Sequence, residues 1–262
     1  MAYAVTDLHC HILPALDDGP ETLPEALEMA RLLAQEGVHT VVATPHAREV
    51  EAAGGREALH QRIEAFRQAV AEAGISLTVV MGAEHFFLPD LIGLVEQGKA
   101  ISLNGSRYLL VEMDFVHYPP FAEQVVFALR LRGITPVLAH PERQAVLQRQ
   151  PQRLRRLAEL GVLFQITGAS LLGGFGGAAQ RTAQDMLKEG LVHAIATDAH
   201  HAQGPRAPLV RPVMEVVTRW VGQAGAQRLF SANPSAIVHN GEVETPPVPP
   251  QRGRLVSLFR RE

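Results

Sequence analysis

A chain of 262 residues, 47% hydrophobic and 19% charged, has the make-up of a soluble globular protein with one large core or two small ones. Its formal net charge of −3 and pI near 6.5 disfavour a generally basic surface, so no nucleic acid is expected as a partner. A single cysteine, Cys10, rules out an intrachain disulfide; with neither a signal-type N-terminus nor a run of about 18 apolar residues, the chain reads as cytoplasmic.

Seven short apolar runs follow one another: "YAVTDLH", "HTVVATPH", "LTVVMGAE", "RYLLVEMD", "TPVLAH", "GVLFQITG" and "HAIATDAH". Each reads as a strand. Between them lie "TLPEALEMARLLAQEGV", "REALHQRIEAFRQAVAEAG", "FAEQVVFALRLRG", "PQRLRRLAELG" and "AAQRTAQDMLKEG", whose apolar residues recur at helical spacing and which mostly stop at a glycine. Thr22 and Pro24 supply a start signal for the first helix. Alternating strand and helix predicts right-handed crossovers and a parallel α/β sheet, barrel or open, and the length fits a single α/β barrel.

The segment "GASLLGGFGG", residues 168–177, reads as a flexible loop after the sixth strand, either a lid or a plain surface connection. Its glycines do not follow a dinucleotide or P-loop spacing. Beyond Gly241 the prolines of "EVETPPVPPQRGRLVSLFRRE" predict an extended linker, dividing the chain into a folded unit (1–241) and a tail (242–262). Either the tail has no binding role, or it makes a weak membrane-surface contact. In the second case Arg252, Arg254, Arg260 and Arg261 face headgroups while Leu255, Leu258 and Phe259 dip in.

The first strand is unusual for an apolar run. Strand alternation predicts that Asp7, His9 and His11 share one face and Leu8 and Cys10 the other. All of the remaining strands except the sixth end in similar residues: His46 on the second, Glu84 on the third, Glu112 on the fourth, His140 on the fifth, Asp198 and His200 on the seventh. In a parallel barrel these ends form one face, so the side chains converge. Any one of these histidines alone is most simply a hydrogen-bonded structural residue. Together they would bury five imidazoles and at least three carboxylates around one point, which a cation relieves.

Side chains two apart on a strand start roughly 6.6 to 6.8 Å apart and lean the same way, which lets His9 and His11 grip one ion, as Asp198 and His200 also can. Imidazole and carboxylate ligands without a thiolate favour manganese, iron or zinc, and their number predicts two or three divalent ions. Cys10 lacks the arginine six residues on that a cysteine phosphatase needs, position 16 being Leu16. It reads as an apolar filler.

The motifs "DLHCHILPALDDGP", "ATPH", "GAE", "LLVE", "LAHPER", "ATDAHH" and "FSANPSAIVHNG", in this order, resemble the PHP-fold metal-dependent protein tyrosine phosphatases that accompany bacterial exopolysaccharide and capsule tyrosine kinases. The resemblance covers about residues 1–241. It implies a distorted seven-stranded (β/α) barrel with a trinuclear site, often of manganese. It further implies one ion on His46, Glu84 and His140, a second on His9, His11, Glu84 and Asp198, and a third on Asp18, Glu112 and His200. Two phosphate-binding arginines are implied as well, matching Arg143 and Arg206, with Arg211 as the alternative to Arg206.

The implied reaction is hydrolysis of phosphotyrosine on a protein, such as a membrane-associated tyrosine autokinase, by a water whose pKa the ions lower from 15.7 toward about 7. A phenolate leaving group, with a conjugate acid of pKa about 10, needs less help from a general acid than a seryl alkoxide. Rival readings are a histidinol-phosphatase-like small-molecule phosphoesterase, an amidohydrolase or nuclease on a related barrel, and a non-catalytic regulator binding the kinase tail. His85, His117 and His201 are either orienting partners of ligands or bystanders.

Overall fold

Parallel strands alternate with helices throughout. The computed structural model describes residues 3–204 and 206–244. Its strands are β1 (Val5–Cys10), β2 (Val38–Ala43), β3 (Thr78–Met81), β4 (His85–Phe86), β5 (Tyr108–Glu112), β6 (Thr135–Ala139), β7 (Leu163–Thr167) and β8 (Ala194–Ala196). All seven predicted runs form strands. They pair in parallel as two sheets, β1-β2-β3 and β4-β5-β6-β7-β8, joined by single bridges, Cys10 to Ala199 and His46 to Glu84.

Among the described residues the strand count is therefore eight, not seven, and no continuous ladder closes round them. The addition is β4, created by a break at Gly82. A Cβ there would stand 2.8 Å from Val42 Cγ1 and 3.0 Å from Leu103 Cδ2, so only glycine lets the chain pass this close to β2. Beyond it the backbone changes partners, and Phe86 pairs with Glu112 of β5.

Helices in chain order are α1 (Leu23–Glu36), α2 (Ala47–Ala52), α3 (Gly55–Glu72), α4 (Leu91–Glu96), α5 (Ala122–Leu131), α6 (Ala145–Arg149), α7 (Gln152–Glu159), α8 (Gly168–Leu171), α9 (Gly176–Lys188), α10 (Arg211–Gln227) and α11 (Asn233–Val238). The five expected helices are α1, α3, α5, α7 and α9. In α1, Thr22 accepts from Glu25 N, Gly37 closes the C-terminus at φ 93, and Ala26, Met29, Ala30 and Leu33 form the buried stripe that helical periodicity requires. None of the helices among the described residues is long and apolar enough to cross a membrane.

Strand alternation separates two apolar layers. Val42, Val80, Leu110, Val137 and Ala194 fill the space the sheets enclose, together with Ile237 and Val238 of α11. Their neighbours Val41, Val79, Leu109, Leu138 and Ile195 pack outward with the helices. β1 breaks the rule. Asp7 pairs with Val41 and Cys10 with Ala43, so β1 carries one extra residue, a bulge. Leu8 consequently joins the inner layer and Cys10 the outer one. The predicted sharing of a face by Asp7, His9 and His11 is thereby corrected. The Asp7 carboxylate instead accepts from Thr197 N at 3.0 Å and Thr197 Oγ1 at 2.5 Å, sewing β1 to β8.

Residues 168–177 are also more ordered than expected. Gly168, Ala169, Ser170 and Leu171 are all buried in α8, and Ser170 Oγ donates to Glu142 Oε1 at 2.7 Å. Of the predicted tail, Glu244 is held by Asn233, whose side chain accepts from its N and donates to its O at 3.0 Å each. Residues 245–262, including the arginines assigned to membrane contact, lie outside the described residues.

His193 links β7 to β8, its Nδ1 accepting from Phe164 N at 3.1 Å. Burial pushes its pKa down from 6.5 to about 4. The unfolded chain takes up this proton near pH 6.5 and the folded chain only near 4, so stability is lost as pH falls through that window, by up to about 3 kcal/mol. His193→Asn keeps an acceptor and removes the titration. Urea unfolding between pH 7 and 5 should show a smaller loss in the variant; equal losses would refute the assignment.

Candidate metal centre

The polar residues collect at the carboxyl ends of the strands. His9 is the penultimate residue of β1 and His11 follows the strand, Asp18 lies in the next loop, His46 follows β2, Glu84 follows β3, Glu112 ends β5, His140 follows β6, and Asp198 and His200 follow β8. His140 and Asp198 take positive φ values of 35° and 51°, uncommon for residues with a Cβ. Backbone bonds hold both turns, His140 N donating to Gln165 O and Asp198 N to His9 O at 2.8 Å each.

Glu84 is the hub. It is buried, and its carboxylate lies 3.0 Å from His140 Nε2, 3.2 Å from His46 Nδ1, 3.3 Å from His9 Nε2 and 3.5 Å from His11 Nε2. Asp198 Oδ1 lies 3.5 Å from His9 Nε2, and Asp18 Oδ1 lies 3.2 Å from His200 Nε2 and 3.4 Å from His46 Nε2. Glu112 Oε1 is 3.4 Å from His46 Nδ1. All nine expected ligand residues thus meet.

The outer hydrogen bonds fix which ring nitrogens face inward as acceptors. His11 Nδ1 faces Asp17 Oδ2 at 2.6 Å and His200 Nδ1 faces the Asp198 carbonyl at 2.9 Å. Both partners only accept, so both Nδ1 atoms carry the proton. His9 Nδ1 donates likewise to Gln165 Oε1 at 2.9 Å. In the neutral rings each Nε2 then points a lone pair at carboxylate oxygens, and those of His9 and His11 approach to 3.2 Å. Without metal ions such nitrogens take up protons: burial disfavours the cations, but the Glu84 and Asp198 charges push His9 up to about 9, and Asp17 and Glu84 push His11 up as well; a divalent ion can take the place of those protons. This donor set fits divalent ions, with imidazole nitrogen and carboxylate oxygen inside and orienting acceptors outside.

Three overlapping groups place their ligand atoms within 4.8 Å of one another: His11, Asp18, His46 and His200; His9, His11 and Glu84; His46, Glu84 and Glu112. This grouping differs from the implied partition in setting Asp18 beside His46 and Glu112 beside Glu84. The reason is His46, whose two nitrogens face carboxylates on both sides.

The protonation energetics reflect the crowding. Burial alone would raise Glu84, but the surrounding imidazoles hold it well below the usual carboxylate range. Burial, then the Glu84 charge, push neighbouring Glu112 up to about 7. His46 is disfavoured by burial as a cation, yet bonds to Asp18 and Glu84 push it up to about 11. Burial pushes the Cys10 thiol up, which keeps it neutral and unsuited to nucleophilic attack.

Two guanidinium groups border the cluster. Arg143 Nη1 donates to Asp198 Oδ2 at 2.6 Å. Arg206 Nη1 donates to Asp18 Oδ2 at 2.9 Å, and its Nη2 contacts His200 Nε2. Arg211 points elsewhere, its backbone N bonding Glu36 and its side chain Gln35 O. Beside Glu84 and Glu112 opens a cleft of about 760 Å³, with Phe86, Leu88 and Lys99 on its walls.

Sequence reasoning passed over Asp17 and Gln165. Asp17 had a visible signal in "LDDG": Gly19 follows because a Cβ there would lie 2.3 Å from His11 O, and its N donates to Asp17 Oδ1 at 3.0 Å. Gln165 had none. Of the neighbouring histidines, His85 bonds Ile101 through Nε2, while His117 and His201 pair with Asp114 and Glu25 at the surface. None touches a ligand side chain through these bonds.

A parallel α/β fold whose strand ends surround buried carboxylates with imidazole nitrogens has the make-up of a metal-dependent α/β protein. The chain belongs to the CpsB/CapC family of capsular polysaccharide synthesis proteins, whose model matches residues 5–239. It is 33% identical over 258 residues to the tyrosine-protein phosphatase YwqE of Bacillus subtilis, covering 97% of this chain and 99% of that one. It is 28% identical to the tyrosine-protein phosphatase CpsB of Streptococcus pneumoniae, covering 88% and 97%. Among solved structures it is similar, at TM-score 0.89 and 31% identity over 94% of this chain and 98% of the other, to a chain from the crystal structures of those two proteins, described as metal-dependent tyrosine phosphatases.

Asp17→Ala removes the acceptor that holds the His11 proton on Nδ1. Loss of such an orienting partner lowers metal affinity about 10- to 100-fold. Calorimetric titration of manganese into the metal-stripped variant should show this weakening, and wild-type affinity would contradict the tautomer assignment.

Proposed function

We propose that the chain is a metal-dependent protein tyrosine phosphatase acting in capsule or exopolysaccharide synthesis. The observation that carries this reading is the buried Glu84 carboxylate inside a ring of imidazole nitrogens, bordered by two guanidinium groups. Its relatives bear the same activity in their names. On this reading the two sheets are parts of one distorted barrel, and His9, His11, Asp18, His46, Glu84, Glu112, His140, Asp198 and His200 hold two or three divalent ions. Manganese is the first candidate, with iron or zinc next. Bound there, the ions supply positive charge and lower the pKa of a water near neutrality.

The chain's own groups do the rest. Arg143 and Arg206 bind the phosphoryl oxygens and stabilise charge that grows during transfer. Glu84 belongs to two of the three ligand groups and would serve both when ions are bound. Asp17, Gln165 and the Asp198 carbonyl hold the imidazoles in the ligating tautomer. The phenolate of tyrosine, conjugate acid pKa about 10, leaves without a strong general acid. We assign the substrate to phosphotyrosine on a membrane-associated autokinase and the reaction to the cytoplasm. A histidinol-phosphatase-like activity on small molecules is the competing outcome.

Glu84→Ala should abolish turnover and lower metal content. Arg143→Ala should cut kcat/KM on a phosphotyrosine peptide by about 10²- to 10³-fold while metal content stays near wild type, and Cys10→Ser should stay active. Kinetics beside metal analysis decide this. Faster turnover of histidinol phosphate than of the peptide would move the assignment to the small-molecule class, and full turnover by Glu84→Ala or Arg143→Ala would end it.

A further inference from the structure

Arg143 is held by more than its ion pair. The carbon of its guanidinium lies 4.1 Å from the ring centroid of Phe175 and 4.7 Å from that of Phe115. The Phe115 ring in turn lies 5.3 Å from the ring of His140, and its carbonyl accepts from Ala145 N at 2.7 Å, tying its segment to the turn that carries Arg143. Phe175 comes from the glycine-rich stretch, for which no role has yet emerged.

That stretch is a built turn. Gly173 and Gly176 have φ of +88° and +86°, and a Cβ on Gly174 would stand 3.1 Å from Ala169 O. Gly174 N donates to Ala169 O at 2.9 Å and Gly176 N to Gly173 O at 3.0 Å. Residues with side chains are disfavoured at these backbone angles, so the glycines specify a sharp return from α8 to α9 with Phe175 at its tip. Phe175 itself is half-buried, and α9 packs against the Pro141–Arg143 turn.

We propose that Phe115 and Phe175 are positioning residues that flank the Arg143 guanidinium and hold its N–H edge toward the phosphoryl group, with the glycine turn serving to deliver Phe175. This rests on the reading of Arg143 as a phosphate-binding group. The physical ground is the side-chain freedom of arginine, which a free guanidinium would lose on meeting each phosphate. Aromatic faces attract the cation while leaving its in-plane donors open. Only Nη1 is engaged with Asp198, so the other donors remain for the phosphoryl oxygens. The position of Arg143 is then set before substrate arrives.

The test uses the full-length, metal-loaded protein and two ligands, a phosphotyrosine peptide and inorganic phosphate, which has no ring. Phe175→Leu should lower kcat/KM on the peptide about tenfold and weaken calorimetric binding of inorganic phosphate by a similar factor, with metal content unchanged. Phe175→Tyr should restore both, and Phe115→Leu should behave as Phe175→Leu does. In an Arg143→Ala background, Phe175→Leu should have little further effect on either ligand. Weaker peptide binding with unchanged phosphate binding would overturn the proposal in favour of direct contact with the substrate ring. A full effect of Phe175→Leu in the Arg143→Ala background would overturn it in favour of a general structural role. If Arg143→Ala alone left phosphate binding and turnover at wild-type levels, the failure would lie in the underlying reading of Arg143.

Discussion

The structure turns on one electrostatic constraint: a buried carboxylate, Glu84, surrounded by four imidazoles, two of which, His9 and His11, have their Nδ1 protons committed to other partners. Asp17, Gln165 and the Asp198 carbonyl take the Nδ1 protons of His11, His9 and His200. The inward nitrogens are then left as acceptors, and acceptors packed against carboxylates need positive charge among them. Local irregularities of the backbone serve the same convergence. The bulge in β1 separates Asp7 from His9, the positive φ of His140 and Asp198 brings both turns in, and Gly19 allows the Asp17 loop to close against His11 O.

Much of this was legible because strand ends in a parallel α/β fold share a side. Short apolar runs mark every strand but β4, and ligand-type residues at their ends mark the cluster. What escaped notice followed from geometry that residue types do not encode. A two-residue strand such as β4 has no periodicity, and its existence depends on a close approach at Gly82. The β1 bulge shifts alternation by one residue without any change in composition, which is how Asp7 came to be grouped with His9 and His11. Gln165 reads as one polar residue inside an apolar strand, and only the packing of β7 beside β1's end makes it the partner of His9 Nδ1. The helices α10 and α11 have weaker signals, with Gly222 breaking the first at φ 73°.

Paired carboxylates show how position alone divides chemically similar groups. Glu84 and Glu112 sit in the same cluster, yet the first is held far below the usual range and the second is raised to about 7. Glu84 has four imidazoles around it, whereas Glu112 is buried beside the Glu84 charge with fewer cationic neighbours. A carboxylate in the second situation gains most from an added cation, because the ion removes both its desolvation cost and its repulsion from Glu84.

Asp198 joins the two halves of the site. One oxygen faces the His9 imidazole at 3.5 Å and the other accepts from Arg143 at 2.6 Å, so a single carboxylate borders both the ligand set and the guanidinium. Removing it would disturb ion binding and arginine placement together, and the resulting loss would not be separable into parts. The rings of Phe115 and Phe175 also lie against the Arg143 guanidinium, and neither carries a polar atom. Phe115 also neighbours the His140 ring, so substitution of Phe175 is the change that would perturb the guanidinium with least disturbance of the imidazole and carboxylate network, and it separates the role of Arg143 from that of the ion pair more cleanly than a change at Asp198.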